Sequence, residues 1–278
     1  MTVKSGSYCY DSFGEKTQVQ EFERLYRQAS TLLDTERQLW PGMGIITGQK
    51  VLDLGCGSGV ITRELAKQVY PARAVGIDIS KTLIDKGLLA YAESSQRTQK
   101  NVDFQQGSVY NLPFPDNSFD IVYARLLFQH LDAPLQALAS ALRVLKPGGK
   151  LFILDVDKSW SSLYPEPKSS MELDKAIIQK QLSQGGDPWV GRKLSYYLTS
   201  AGFESVETKV TLVDSNRLGM AHFFGMLAFG GSYQSEENKL AALQEKCRPD
   251  IQVLLDDPSA WAGFGLFVAV GHKTNRSM

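Results

Sequence analysis

The sequence has few cysteines and no excess of either charge. Its 278 residues include Cys9, Cys56 and Cys247, which are odd in number and far apart. This pattern is typical of reduced thiols rather than of a disulfide framework or a zinc site. Thirty basic residues balance thirty acidic ones without a basic block, so the electrostatic footprint of a general nucleic-acid binder is missing. A small, near-neutral partner is indicated instead.

Long hydrophobic runs are also missing. No stretch approaches the roughly 20 apolar residues of a membrane span, and the opening MTVKSGSYCY lacks the apolar run of a signal peptide. We therefore expect a cytoplasmic protein without a membrane span. With 43% hydrophobic and 22% charged residues, the composition is that of a globular chain able to bury a core.

Short apolar runs alternate with stretches of helical spacing through most of the chain. The predicted strands are KVLDLG, ARAVGIDIS, VDFQQGS, FDIVYARL, KLFILDVD, ESVETKVTLV and FGLFVAVGHK. The helices between them are ITRELAKQV, KTLIDKGLLAYAES, APLQALASALRVL and RKLSYYLTSAGF. The alternation predicts an α/β fold with a Rossmann-like, seven-stranded, mostly parallel sheet and helices on both faces.

Other segments lie outside this alternation. An amphipathic helix from about Gln18 to Trp40 precedes the first strand. SWSSLYPEPKSS is predicted to be a loop, and helices are predicted in MELDKAIIQKQLSQ and ENKLAALQEKCRPDIQVLLDD, with Pro249 as a kink or a new start. We expect the later segments to be helical insertions that form a cap over one edge of the sheet.

Three glycines alternate directly after the first predicted strand, in VLDLGCGSGV. In an open α/β sheet, ligands bind beyond the carboxyl ends of the strands, where the connections diverge. Without Cβ atoms, Gly55, Gly57 and Gly59 let a ligand lie on the main chain, with loop amides available to an anionic group. A tight turn needs one such glycine for packing, so three of them favour ligand binding.

The ligand predicted at this loop contains a nucleoside. A dinucleotide fingerprint needs glycine or alanine at position 60, where this chain has Val60. Asp78 ends the next strand, 25 residues after Asp53, and a carboxylate there accepts two hydrogen bonds from a ribose diol. The alternative is that Asp78 acts only as a negative charge at a helix N-terminus.

Several motifs, taken in order, resemble those of the class I S-adenosylmethionine-dependent methyltransferases. They are VLDLGCGSG, GIDIS, QGSVYNLPFPDNSFDIVYAR, LRVLKPGGKLFILD and GRKLSYYLTSAGF. The resemblance covers about residues 20 to 213 and the last strand, and it points to the small-molecule enzymes of quinone biosynthesis and natural-product tailoring. The segment EFERLYRQ adds the E-x-x-R-L-x-x-Q pattern that precedes the glycine loop in some of these enzymes.

The resemblance implies S-adenosyl-L-methionine as the cofactor, and it implies roles for the residues around the glycine loop. Backbone atoms would line the methionine part of the cofactor, at Leu54, Gly55, Cys56 and Gly57. Asp53 would lie near the cofactor's ammonium group. Asp78 would hold the ribose hydroxyls, and Ile79 would pack on the adenine face.

Further cofactor contacts are implied on either side of this loop. Gly107, Ser108 and Val109 would form the rim of the adenine pocket, although the family commonly has an aspartate where this chain has Ser108. Ala124 and Arg125 would end the fourth strand beside the cofactor. From the N-terminal segment, Gln28 and either Tyr8 or Tyr10 would close over the methionine carboxylate.

The resemblance also divides the chain by role. Residues 1–45 would be a helical segment that closes over the cofactor. The methyltransferase core would comprise residues 46–157, 187–213 and 262–273. The insertions 158–186 and 214–261 would form a cap that binds the methyl acceptor.

Methyl transfer from a sulfonium is an in-line displacement, and alignment with exclusion of water can contribute about 7 to 11 kcal/mol to it. Where the acceptor must lose a proton, a neutral imidazole is the natural base, and the candidates are His130 and His222. The alternatives are a structural cap for His130 and stacking among phenylalanines for His222. Asp155 and Asp157 lack a further acidic partner at suitable spacing, so no metal is expected.

The acceptor predicted from the aromatic insertion GMAHFFGMLAF is an apolar or aromatic small molecule, methylated on oxygen, nitrogen or carbon. A satellite hydrophobic cluster is the alternative reading of that segment. Other functions stay open because a fold does not fix an acceptor. They are a nicotinamide enzyme, a cofactor-binding pseudo-methyltransferase or regulatory module, and a methyltransferase of RNA or protein. The oligomeric state cannot be read from the sequence.

Overall fold

A seven-stranded sheet forms the centre of the structure, a computed structural model that describes residues 6–93, 100–227 and 238–275. The strands are β1 (Val51–Leu54), β2 (Ala74–Asp78), β3 (Val102–Gln106), β4 (Phe119–Arg125), β5 (Leu145–Tyr164), β6 (Glu204–Asp214) and β7 (Trp261–His272). Their order is β3-β2-β1-β4-β5-β7-β6, and β7 is antiparallel to both of its neighbours. The predicted Rossmann-like, mostly parallel α/β fold is confirmed.

Helices flank the sheet and cover its carboxyl edge. They are α1 (Glu15–Met43), α2 (Val60–Val69), α3 (Lys81–Glu93), α4 (Pro134–Val144), α5 (Lys168–Ser183), α6 (Leu194–Ser200), α7 (Ser215–Leu218), α8 (Met220–Met226) and α9 (Asn238–Asp256). Helix α9 runs through Pro249. In the described part of the chain, no helix has the length and apolarity needed to cross a bilayer.

Alternation along the strands divides the core into two layers. Leu52 and Leu54 of β1 pack with the buried side chains of α4 and α6 on one face. Val51 of the same strand packs on the other face with buried residues of α1 and α2. Because successive strand side chains point to opposite faces, a mainly apolar run such as VLDL contributes side chains to both layers.

The strand β5 is longer than predicted. SWSSLYPEPKSS was expected to be a loop because of its serine and proline content, yet Ser161–Tyr164 pair with Phe264–Trp261 of β7. The prediction of a loop is therefore wrong for this part, because backbone pairing with a long antiparallel neighbour outweighs local composition. The segment KPGG is an irregularity inside β5, where the register with β4 jumps from Leu145 to Lys150.

Strand order places a crevice beside β1. The chain passes from β1 to β2 and β3 on one side, while β4 pairs with β1 on the other side. The connections at the carboxyl ends of β1 and β4 therefore diverge, and this is where open α/β sheets bind their ligands.

Candidate active site

A cavity of about 380 Å³ lies at this divergence. One part of its wall consists of the glycine loop after β1, the end of β2, residues 107–110 after β3 and the end of β4. The other part consists of side chains from α1, α5 and α8. The cavity therefore joins the sheet edge to the helical segments that cover it.

The structure brings most of the predicted cofactor-binding residues to this cavity. From the glycine loop and the strand ends, the lining includes Asp53, Gly55, Cys56, Gly57, Asp78 and Ile79. Gly107, Ser108, Val109, Arg125, Gln28 and both Tyr8 and Tyr10 also line it. Their contacts with a cofactor stay predictions. Leu54 and Ala124 do not line the cavity, because both side chains are buried in the core layer beneath it.

The carboxylate of Asp78 ties together three elements around the cavity. Its Oδ2 accepts a hydrogen bond from the Gly57 amide at 2.9 Å, and its Oδ1 accepts one from the Ser80 amide at 2.9 Å. Ser80 Oγ in turn accepts from the Leu83 amide and caps α3. Burial raises the pKa of Asp78, whereas the two amides act to lower it. Each carboxylate oxygen retains capacity for a second donor, as a ribose diol requires.

The three glycines of the loop have different surroundings. A Cβ on Gly55 would lie 2.9 Å from the Leu127 side chain, and one on Gly59 would lie 2.6 Å from the Phe104 ring. A Cβ on Gly57 would meet nothing within 4 Å. Gly55 and Gly59 therefore serve the packing of the turn, and Gly57 leaves space at the cavity surface.

The loop does not offer a set of free amides to an anion. The amides of Gly55 and Cys56 donate to the Ile77 carbonyl, and the Gly59 amide donates to the Cys56 carbonyl. The Gly57 amide is occupied by Asp78. The expectation of loop amides available to an anionic group is thus wrong at these four positions, because β2 and the turn itself satisfy the donors.

Asp53 is a buried carboxylate at the end of β1. Its Oδ2 accepts a hydrogen bond from Thr62 Oγ1 at 2.6 Å. Burial raises its pKa to about 7, against the lowering effect of Thr62. Because a nearby cation favours the ionised form, this position suits the ammonium group of an amino acid.

Helix α1 presents a polar face to the cavity. Glu21, Arg24, Leu25 and Gln28 have the spacing i, i+3, i+4 and i+7, so the E-x-x-R-L-x-x-Q pattern lies on one face. Arg24 and Leu25 line the cavity and were not among the predicted site residues, although this pattern contains them. The buried carboxylate of Glu21 pairs with Arg24 at 2.7 Å and accepts from Tyr8 Oη at 2.7 Å. Through its hydrogen bond with Tyr8, Glu21 joins the N-terminal segment to α1.

His130 lines the cavity and contacts the N-terminal segment. Its Nδ1 lies 3.1 Å from Ser7 Oγ, its carbonyl accepts from the Ser7 amide, and its ring lies 5.3 Å from the Tyr8 ring. Burial lowers its pKa to about 4, which leaves a neutral imidazole of low basicity near pH 7. These contacts fit a residue that fixes the N-terminal segment. Catalysis by His130 stays a prediction.

The insertion around α8 contributes phenylalanines rather than its histidine. Phe223 and Phe224 line the cavity, whereas His222 is exposed and does not. Helical spacing explains the difference, because adjacent residues on a helix point about 100° apart. The structure does not bring His222 to the predicted site. Residues 228–229, the last two of the aromatic segment, lie outside the described residues.

Asp155 and Asp157, in the middle of β5, have partners within the protein. Asp155, whose pKa burial raises to about 7, accepts from the amides of Gln129 and Val156 and so fixes the turn that precedes His130. Asp157 forms an ion pair with Arg192 at 2.5 Å. No group of three or more potential metal ligands occurs within residues 6–93, 100–227 and 238–275.

Residues 52–153 match the family model described as a methyltransferase domain. The chain is 35% identical over 157 residues to an uncharacterized methyltransferase of Schizosaccharomyces pombe, covering 55% of this chain and 56% of that protein. It is 36% identical over 121 residues to a ubiquinone/menaquinone biosynthesis C-methyltransferase of Pseudomonas paraeruginosa, covering 43% and 46%. The chain thus spans about half the length of the curated relatives it matches.

A similar fold occurs in a phosphoethanolamine N-methyltransferase of Haemonchus contortus, solved with S-adenosylhomocysteine and phosphomonomethylethanolamine. The two chains are 18% identical with a TM-score of 0.58, covering 90% of this chain and 57% of that one. At this identity the likeness concerns the fold. Together with the domain match, the findings confirm the resemblance to class I S-adenosylmethionine-dependent methyltransferases and the cofactor class predicted with it.

Replacing Gly57 by alanine should impair cofactor binding more than it impairs folding. Alanine at a φ of +52° costs roughly 1 kcal/mol, and its methyl group would enter the cavity. Gly48→Ala is the matched control, because Gly48 has a φ of +88°, nothing within 4 Å of its Cβ, and no place in the cavity wall. We expect similar losses of thermal stability but a loss of S-adenosylhomocysteine affinity of about tenfold or more only in Gly57→Ala. Equal affinities in the two variants would contradict the loop assignment.

The affinity for S-adenosylhomocysteine should depend on pH through Asp53. Its pKa of about 7 means that the carboxylate becomes protonated as the pH falls, and a protonated acid no longer pairs with an ammonium group. We expect affinity to fall about tenfold from pH 8 to pH 6. Asp53→Asn should remove most of this dependence. If the variant shows the same slope as the wild-type protein in calorimetric titrations, Asp53 does not contact the ammonium group.

Proposed function

We propose that this chain transfers a methyl group from S-adenosylmethionine to a small molecule bound beneath α5 and α8. The observation that carries the proposal is the continuity of one cavity. It runs from Asp78 and Gly57 at the sheet edge to Phe223 and Ile178 in the helical segments. A cofactor bound at the first end would therefore face an enclosed space for an acceptor at the second.

The cofactor end has groups that suit an adenosyl amino acid. Asp78 would accept hydrogen bonds from the ribose hydroxyls, and the buried Asp53 would hold the ammonium group. Arg24 and Gln28, which line the cavity from α1, would reach the carboxylate; both also contact the Met226 carbonyl at 3.4 Å. Ile79 and Val109 would enclose the adenine. When bound, the cofactor supplies an electrophilic methyl group on a sulfonium.

The protein's main contribution to the reaction would be alignment and exclusion of water. Holding two reactants in line can contribute about 7 to 11 kcal/mol, and the enclosing helices limit access of water to the cavity. His130 is a weak base because its pKa is about 4. The acceptor would therefore need a nucleophilic atom that reacts without a strong protein base, such as an electron-rich ring carbon, an ionised oxygen or a neutral amine.

The loop geometry favours this cofactor over a nicotinamide dinucleotide. The loop amides of Gly55, Cys56, Gly57 and Gly59 have partners within the chain and are not free to bind a pyrophosphate. Val60 also departs from the dinucleotide fingerprint. The near-neutral composition and the concave, partly apolar cavity support a small acceptor rather than RNA or protein. The ubiquinone/menaquinone biosynthesis C-methyltransferase among the relatives supports carbon as the methylated atom.

Calorimetric titration with S-adenosylmethionine, S-adenosylhomocysteine and NAD tests the cofactor assignment. We expect one site for the first two compounds and an affinity for NAD at least about a hundredfold lower. Tighter binding of NAD would contradict the proposal. Release of S-adenosylhomocysteine during incubation with a panel of phenols, quinols and amines then tests turnover. A protein that binds the cofactor yet methylates none of these acceptor classes would support the regulatory alternative.

A further inference from the structure

Helix α5 turns a mixed polar and apolar face towards the cavity. Ser170, Asp174, Ile177, Ile178 and Gln181 all line it, and their spacing of four, three, one and three residues places them on one side of the helix. A helix that covers a protein core normally presents an apolar stripe. The carboxylate of Asp174 on this inward side therefore needs an explanation other than packing.

Asp174 pairs with a lysine from the strand beneath it. Lys158, in β5, has its Nζ 2.9 Å from Asp174 Oδ1, and both side chains line the cavity at about 30% exposure. Asp174 Oδ1 is shielded from solvent, and among the described residues no hydrogen bond to it is found besides this ion contact. The pair is thus a fixed, electrically neutral combination of acceptor and donor at the cavity wall.

The cavity wall also has an apolar and aromatic part. Phe223 and Phe224 contribute from α8, and Phe264 contributes from β7. The Phe223 and Phe264 rings lie 5.8 Å apart. A molecule bound in this cavity has both flat apolar surfaces and the Lys158–Asp174 pair available to it.

We propose that the Lys158–Asp174 pair binds a neutral hydroxyl group on the apolar ring of the methyl acceptor. A hydroxyl both donates and accepts, so it can donate to Asp174 and accept from Lys158. For a carboxylate on the acceptor, attraction by Lys158 is offset by repulsion from Asp174, and for an ammonium group the two effects are reversed. The pair therefore selects for a neutral group of mixed hydrogen-bonding character. This inference rests on the proposed function, because it assumes that the acceptor occupies this end of the cavity.

The test compares 2-naphthol with naphthalene, which has the same ring system without the hydroxyl. Their affinities are measured by fluorescence titration on protein saturated with S-adenosylhomocysteine. In the wild-type protein 2-naphthol should bind about tenfold more tightly, the order expected for a hydrogen bond to a charged group. The double variant Lys158→Met/Asp174→Leu removes both charges of the pair together. In it the preference should fall to about twofold or less.

The matched control is Lys246→Met/Glu172→Leu. Glu172 also lies in α5 and pairs with a lysine at 2.6 Å, but both side chains are more than half exposed and neither lines the cavity. This control should keep the wild-type preference for 2-naphthol. An undiminished preference in the Lys158→Met/Asp174→Leu variant would overturn the inference, as would failure of 2-naphthol to bind the wild-type protein. Absence of S-adenosylhomocysteine binding would instead count against the proposed function.

Discussion

The two hydrogen bonds from the Gly57 and Ser80 amides to Asp78 organise the cavity. They fix the end of β2 to the loop after β1 and to the start of α3. The Ile77 carbonyl accepts hydrogen bonds from the amides of Gly55 and Cys56, so the neighbouring strand β2 holds the loop. Hydrogen bonds within the protein thus limit the conformations open to the loop, and such preorganisation reduces the ordering cost of binding.

Buried charge is concentrated around this loop. Asp53 and Asp155 both have pKa values raised to about 7 by burial. Glu36 of α1, fully buried, accepts from Tyr123 Oη at 2.7 Å and pairs with Arg125. These contacts fasten α1 to the end of β4, so the helix that closes the cavity is fixed by a charged network. Cationic groups of a ligand would be favoured beside these carboxylates. His130, whose pKa burial lowers to about 4, is a weak base.

Much of the fold and of the cofactor side could be predicted from the sequence because both depend on local signals. Mainly apolar runs such as VLDL and AVGID predict strands. The glycine loop begins directly after the first run, and Asp78 is the last residue of the second. The extension of β5 through Ser161–Tyr164 depends on pairing with β7, about one hundred residues later, so composition was misleading. The inward position of Asp174 and the outward position of His222 could not be predicted either, because each depends on how its helix lies against the sheet.

We propose that Asp78 holds the ribose hydroxyls of the cofactor. The most direct measurement is the dissociation constant of S-adenosylhomocysteine for Asp78→Asn and for the wild-type protein, with thermal unfolding measured in parallel. We expect Asp78→Asn to remain folded and to bind S-adenosylhomocysteine at least about tenfold more weakly than the wild-type protein. An unchanged dissociation constant in a folded variant would contradict it.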